Sequence, residues 1–259
     1  MQRRDFIKNT LLASLAVATS RIAAAPIMQQ RENKTVNPNM AKKIVIINGS
    51  PRRNNNTATL LKEAQRGAES IGAEVEYIDL VKLNFKGCMS CFACKRKGNT
   101  CNGLCAWKDD LRPVLESIHQ ADALIIGSPI YWSYPTGMFR NLIERLLFPI
   151  LRYDIDEATG GASKYLDKKM PTAIIYTMNN SKERYNMVNY GTILAPDQQY
   201  LQQMFGSCEV LNAYETWQFP DYERYDASAF NLSHLQSVRE NQWPKDKQAA
   251  FDLAIRLLQ

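Results

Sequence analysis

An apolar run, Lys43-Ile44-Val45-Ile46-Ile47, leads straight into Asn48-Gly49-Ser50-Pro51-Arg52-Arg53-Asn54-Asn55-Asn56-Thr57. A helical pattern at Leu60, Leu61, Ala64, Ala68 and Ile71 follows at once. Buried strand, polar small-residue loop, then helix is an order that builds an anion cradle. Helix-start amides point outward with partial positive charge, and Ser, Thr and Asn side chains add donors. The loop has neither the Gly-Lys-Ser/Thr of a nucleoside triphosphate loop nor the second and third glycines of a dinucleotide loop. It therefore predicts a phosphate monoester on a smaller cofactor.

The rest of the chain supplies the matching architecture. Ala123–Gly127 and Thr172–Thr177 are further apolar runs that read as buried parallel strands. Glu74–Leu80 alternates, as an edge strand does, and Glu209–Thr216 reads as the opposite edge. Helix faces intervene at Leu111, Val114, Leu115 and Ile118, at Met138, Leu142, Ile143 and Leu146, and at Leu201, Met204 and Phe205. A last one falls at Phe251, Ile255 and Leu258. Alternating strands and helices predict an α/β fold, a doubly wound five-stranded parallel sheet in the order 2-1-3-4-5. Its ligand crevice would open between the first and third strands. The loop after the third strand, Gly127 to Gly137, carries Tyr131, Trp132 and Tyr134 between prolines and glycines. Aromatics in a loop at a switch point suit a flat ring better than a core.

These two loops carry a resemblance. Gly-Ser-Pro-Arg-x-x-x-x-Thr, with Ser-Pro-Ile-Tyr-Trp-x-x-Pro-x-Gly-x-x-Arg-Asn-Leu-Ile-Glu-Arg downstream, resembles the flavodoxin-like NADPH-dependent FMN reductase family over most of residues 42–220. The resemblance implies that Ser50, Arg52, Asn56 and Thr57 contact the FMN phosphate. Pro129, Ile130, Tyr131 and Trp132 would flank the isoalloxazine ring. The loop Tyr176–Asn180, with Asn179, would close the site, although it lacks the glycines common there in relatives. NAD(P)H would be the co-substrate, and a homodimer the assembly.

Five of six cysteines fall within eighteen residues, at Cys88, Cys91, Cys94, Cys101 and Cys105. Such compact spacing lets one loop wrap a cubane 4Fe–4S cluster. Zinc, disulfides, or thiols with no ligand at all are the competing outcomes. The motif also resembles the iron–sulfur flavoprotein branch of the same family, which implies Cys88, Cys91, Cys94 and Cys101 as ligands and Cys105 as surplus. Cys208 stands alone and reads as a small buried hydrophobe.

Neither histidine, His119 or His234, sits in a motif, and Ser128 lacks a Gly-x-Ser-x-Gly frame. Side-chain acid–base chemistry is thin, so no catalytic residue is assigned and the chemistry would be carried by the flavin. Electrons would pass from NAD(P)H to a quinone, another flavin, a metal ion, an iron–sulfur centre or a redox protein. A non-enzymatic flavodoxin-type carrier, or a flavin fold without flavin, is the alternative. Net charge is +6, of which Arg3, Arg4, Lys8 and Arg21 against Asp5 account for +3. That leaves too little to argue for nucleic acid.

Residues 1–40 read as an export signal and linker ahead of one flavodoxin-like domain, 41–259. Gln2-Arg3-Arg4-Asp5-Phe6-Ile7-Lys8 resembles a twin-arginine signal, followed by apolar Leu11–Ala18 and small residues at Ala23–Ala25. A working signal implies a periplasmic or membrane-associated protein, and a silent one a cytoplasmic protein. No other segment is long and apolar enough to span a membrane. Leu151–Met170 and Ser181–Gln199 read as long connections that could serve as lids or partner surfaces.

Overall fold

The computed structural model describes residues 41–259 apart from Asp156, Ala158, Thr159, Gly161 and Asp167. The signal and linker assigned to residues 1–40 lie outside the described residues. Strand β1 (Lys43–Asn48) precedes helix α1 (Asn56–Ser70) and strand β2 (Glu74–Asp79). Helix α2 (Leu111–Gln120), strand β3 (Ala123–Tyr131), the short β4 (Tyr134–Pro135) and helix α3 (Gly137–Leu147) follow. Then come β5 (Leu151–Ile155), β6 (Ala162–Lys164) and β7 (Met170–Thr177). Helices α4 (Lys182–Met187) and α5 (Tyr190–Phe205), strand β8 (Gly206–Ala213), and helices α6 (Leu232–Asn241) and α7 (Trp243–Leu258) complete the domain.

Five parallel strands pair in the order β2-β1-β3-β7-β8, which is the predicted 2-1-3-4-5 topology. The all-apolar strands feed both faces, because successive side chains point to opposite sides. Val45 and Ile47 of β1 enter one core with Leu115, Ile118, Phe139, Leu142 and Leu201. Ile44 and Ile46 enter the other with Leu60, Leu61, Leu253 and Leu257. Helices α2, α3 and α5 cover the first face, and α1 and α7 the second.

Several elements differ from the sequence reading. Strand β3 continues past Gly127 to Tyr131, because Ile130 and Tyr131 pair antiparallel with Pro135 and Tyr134. The predicted loop is thus a hairpin, turned by Trp132 and Ser133, both left-handed at φ 48° and 74°. Ser181–Gln199 is largely helical. Ser181 caps α4 by accepting from the Arg184 amide at 3.2 Å. Pro196 sits inside α5. The apolar stripe Leu194, Leu201, Met204 and Phe205, packed on the sheet, outweighs its poor propensity. Leu151–Met170 contains the two-stranded β5–β6 ribbon. The buried stripe of α7 is Ala250, Leu253, Ala254, Leu257 and Leu258, whereas Phe251 and Ile255 are half-buried. Helix α6 has no apolar period to announce it, and only Leu235 is buried.

Cys208 is buried on β8, and burial pushes its thiol up to about 11, as a small core residue. No helix among the described residues is long and apolar enough to cross a membrane.

Candidate functional site

A cleft of about 110 Å³ opens at the carboxyl ends of β1, β3 and β7. Ser50, Arg52, Asn56 and Thr57 line it from the first loop, Pro129, Ile130 and Tyr131 from the hairpin, and Asn179 from the loop after β7. All of them are sequence-predicted site residues. Trp132 is not brought in. At 98% exposure it stands at the hairpin tip, because the left-handed turn swings it away from the sheet end.

The first loop is rigid for identifiable reasons. Gly49 donates its amide to the Gly127 carbonyl at 2.8 Å, and a Cβ at Gly49 would come within 2.9 Å of that same oxygen. The loop therefore approaches β3 as closely as only glycine permits. Asn48 Oδ1 accepts the Ser50 amide at 3.0 Å, and Ser50 Oγ accepts the Arg52 amide at 3.1 Å. Thr136 joins three parts of the site. Its hydroxyl donates to the Gly49 carbonyl at 2.6 Å and accepts the Phe139 amide at the start of α3, while its amide donates to Ser128 Oγ at 3.0 Å. Ser128 is thereby committed to structure. The Thr57 and Thr177 hydroxyls pair at 2.7 Å across the cleft floor.

The charge distribution favours an anion. Helix α1 begins with no acidic residue in its first turn, and the Asn55 side chain caps none of its amides. Arg53 leans out to Asp79 at 3.2 Å, whereas Arg52 stays over the cleft and donates to the Gln218 carbonyl at 2.7 Å. Burial alone would raise the Asp79 carboxyl. Hydrogen bonds from Asn48, Lys82 and Arg53 outweigh it and hold that group below the usual carboxylate range. No carboxylate is among the residues lining the cleft.

Sequence reasoning missed one wall. Thr216 and Gln218, on the strap after β8, also line the cleft. Asn56 Nδ2 donates to the Trp217 carbonyl at 2.8 Å, and Asn179 Nδ2 to Gln218 Oε1 at 2.6 Å. The Gln218 amide donates to the buried Tyr222 hydroxyl at 3.0 Å. The only signal was the aromatic density of Trp217, Phe219, Tyr222 and Tyr225, which packs as its own cluster.

A second, narrow pocket, of about 20 Å³, lies under the loop after β2. Cys88, Cys91, Cys94 and Cys105 line it with Phe92, Trp107, Arg145 and Phe148. Cys101, one of the four cysteines assigned as ligands, is not among the lining residues. All six thiols are free, and among the described residues no three His, Cys, Asp or Glu groups close around a single metal ion. Burial raises the Cys94 thiol. His119, on α2, is neutral at ordinary pH: burial, then Lys168 and Arg112, lower it to about 4. His234 is surface-exposed, 2.9 Å from Glu215.

Residues 42–178 match the model of the NADPH-dependent FMN reductase family. The chain belongs to that family. Among members with curated descriptions, an iron–sulfur flavoprotein of Archaeoglobus fulgidus is 40% identical over 103 residues, covering 40% of this chain and 48% of that protein. An iron–sulfur flavoprotein of Methanocaldococcus jannaschii is 31% identical over 120 residues, 46% of this chain and 60% of its own length. The chain thus spans about half the length of the curated relatives it matches. The fold agrees with an NAD(P)H:quinone oxidoreductase from Methanothermobacter marburgensis, at a TM-score of 0.56 and 15% identity over 83% of this chain and 98% of that one. The NADPH-dependent FMN reductase match spans the first loop, the cysteine loop and the hairpin, and ends at Met178, before Asn179 and the Thr216–Gln218 strap.

Proposed function

We propose that this protein is an FMN-dependent oxidoreductase that takes electrons from NAD(P)H and delivers them to a quinone, flavin, metal or iron–sulfur acceptor. The observation that carries the reading is the single cleft that joins the anion cradle of α1 to the hairpin Pro129–Tyr131 at the sheet switch point. The donor set fits FMN. Hydroxyls of Ser50 and Thr57, the Asn56 amide, the Arg52 guanidinium and uncapped helix amides suit a phosphate dianion. When bound, FMN would accept hydride from NAD(P)H and release the electrons to the acceptor.

The side chains then bind and orient. Pro129, Ile130 and Tyr131 present one wall, and Thr177, Met178 and Asn179 the other, so a ring is held by packing and a phosphate by charge. Asn179 and Arg52, both tied to Gln218, fix the strap beside the cradle. The cleft offers no carboxylate or histidine, so its side chains chiefly bind and orient.

The cysteine pocket favours a more specific version, an iron–sulfur flavoprotein with a 4Fe–4S cluster as internal acceptor. Thiols around an aromatic-lined cavity are the soft donor set such a cluster takes. An export signal over residues 1–40, a single flavin-binding domain over 41–259 and a homodimer complete the proposal. The exposed Tyr131, Trp132 and Tyr134 beside the cleft are the natural dimer contact. Anaerobic purification followed by flavin assay and NADH and NADPH oxidation with a quinone tests the core of it. One FMN per chain and flavin-dependent turnover are expected. Protein that stays colourless after incubation with FMN would overturn it, and turnover only through an added redox protein would favour the carrier.

A further inference from the structure

The strap after β8 reaches the cleft because its bonding to the β7 side runs on past the strand ends. The Glu215 amide donates to the Asn180 carbonyl at 3.1 Å, and the Thr216 amide and hydroxyl both donate to the Met178 carbonyl, at 3.0 and 3.2 Å. Glu215 is left-handed, at φ 49°, and directly beyond it the chain lines the cleft at Thr216 and Gln218. Behind the strap stands Tyr222, 6% exposed. Its hydroxyl accepts the Gln218 amide at 3.0 Å, and its ring packs edge-on against Trp217 and Phe219, at centroid distances of 4.8 and 5.1 Å. The strap is therefore fixed from two sides, by the loop after β7 and by the aromatic cluster. It also lies outside residues 42–178, the part of the chain that matches the family.

What the strap offers the cleft is acceptors. The Gln218 carbonyl takes Nη1 of Arg52 at 2.7 Å, the Trp217 carbonyl takes Nδ2 of Asn56 at 2.8 Å, and Gln218 Oε1 takes Nδ2 of Asn179 at 2.6 Å. Arg52 is an exposed residue on a loop, and a long side chain of that kind loses much rotamer freedom when a ligand captures it. Here that freedom is already restricted. With the Asn55 oxygen turned toward it, the guanidinium is held by a second residue, through Nη1 at 2.9 Å and Nε at 3.2 Å. None of these bonds uses Nη2, and Asn56 Nδ2 keeps a second hydrogen. Each residue thus holds a donor ready for a ligand, and a donor ordered before the ligand arrives loses less on binding.

We propose that the strap is what makes this cleft prefer a phosphorylated flavin over the same flavin without its phosphate. The Trp217 and Gln218 carbonyls aim Arg52 and Asn56 at the phosphate. Gln218 and Tyr222 are the positioning residues that keep the strap in place. This role rests on the reading of the cleft as an FMN site.

The experiment titrates FMN and riboflavin separately into the flavin-stripped full chain, following quenching of flavin fluorescence, in wild type, Gln218→Glu and Tyr222→Phe. Glu has the shape of Gln and still accepts from Asn179, so Gln218→Glu leaves the strap seated while placing a negative charge beside the cradle. It should weaken FMN by about tenfold or more and riboflavin by less than about twofold. Tyr222→Phe frees the Gln218 amide from its anchor and should cut the preference for FMN over riboflavin by about threefold or more. A preference that stays at the wild-type value in either variant overturns the proposal, whether both flavins weaken together or neither does. Wild-type protein that binds the two flavins equally overturns it too. Wild-type protein that binds neither flavin overturns the FMN reading beneath it, a distinct result. If Tyr222→Phe fails to fold, Gln218→Ala takes its place under the same criterion, since it cuts the tie to Asn179 and loosens the strap.

Discussion

The two pockets stand on loops that leave adjacent strands of the same sheet, and they are built by opposite means. The cradle after β1 is short, and several bonds tie it to other parts of the chain: Gly49 to Gly127, Thr136 to Gly49, Thr57 to Thr177. The segment from Leu83 to Asp110 is long, and its only regular structure is one short 3-10 turn at Ala93–Lys95. It is pinned at three cations: Arg145 beneath it, Arg112 of α2, which donates to the Cys105 carbonyl at 2.6 Å, and Lys95, which donates to the Phe148 and Leu151 carbonyls. Redundant bonding makes the cradle robust to any one change. A loop hung on a few buried cations concentrates the risk at those residues.

The largest effect should therefore come from the cysteine side. Arg145→Ala removes the buried member of the pair with half-buried Asp109 and leaves that carboxylate without its cation. Breaking such a pair by removing one member costs about 3–5 kcal/mol. Denaturant unfolding should show a loss of that size, and a loss below about 1 kcal/mol would mean the loop is not hung on Arg145. The cradle should respond differently. Thr57→Val removes one hydroxyl from a network with several, so the fold should hold while FMN binding weakens. A hydrogen bond to a charged group contributes about 1.5–3 kcal/mol, so titration should show roughly tenfold weaker binding or more.

A pH change sharpens the contrast. His119 packs beside Gly103, where an added Cβ would lie 3.6 Å from its ring. Its folded value of about 4 is below the ordinary 6.5, so the unfolded chain binds the extra proton first as acid is added. Stability is therefore lost as pH falls from about 6.5 to about 4, by roughly 1–2 kcal/mol after discounting partial exposure. Hydrogen exchange at pH 4.5 should loosen residues 98–105 before residues 48–57, and His119→Gln should flatten the difference. Equal loosening of both loops would break the comparison. The smallest effect on the fold of the single chain belongs to Trp132→Ala: at the exposed hairpin tip it should change unfolding of the monomer by about 0.5 kcal/mol or less, whereas a dimer seated on that tip should dissociate more readily.

The cradle was legible because its chemistry is local. Ser50, Arg52, Asn56 and Thr57 lie within one turn of a strand end that apolar Ile44–Ile47 already announces. The strap was not, since Thr216 and Gln218 reach the cleft only through the pairing of β7 with β8 and the packing of Tyr222, both set by tertiary contacts. Trp132 misled because composition shows an aromatic in a loop but not the left-handed turn that points it outward. Helix α4 and the first half of α5 were hidden by Pro196 and by the many polar residues around it, whereas the second half of α5 showed in Leu201, Met204 and Phe205. In the cysteine loop, spacing cannot see the left-handed reversal at Asn102-Gly103, beyond which Cys105 lines the pocket and Cys101 does not.

Gly67 of α1 has a further consequence. A Cβ there would lie 2.1 Å from the Phe251 carbonyl, so α1 and α7 touch backbone to backbone. The helix whose first turn forms the cradle is thus seated by a helix synthesised nearly 200 residues later. During translation the loop Ser50–Thr57 emerges early but has no firm helix behind it until α7 leaves the ribosome. A chain truncated before α7 would keep the cradle sequence while losing the backbone contact that seats α1.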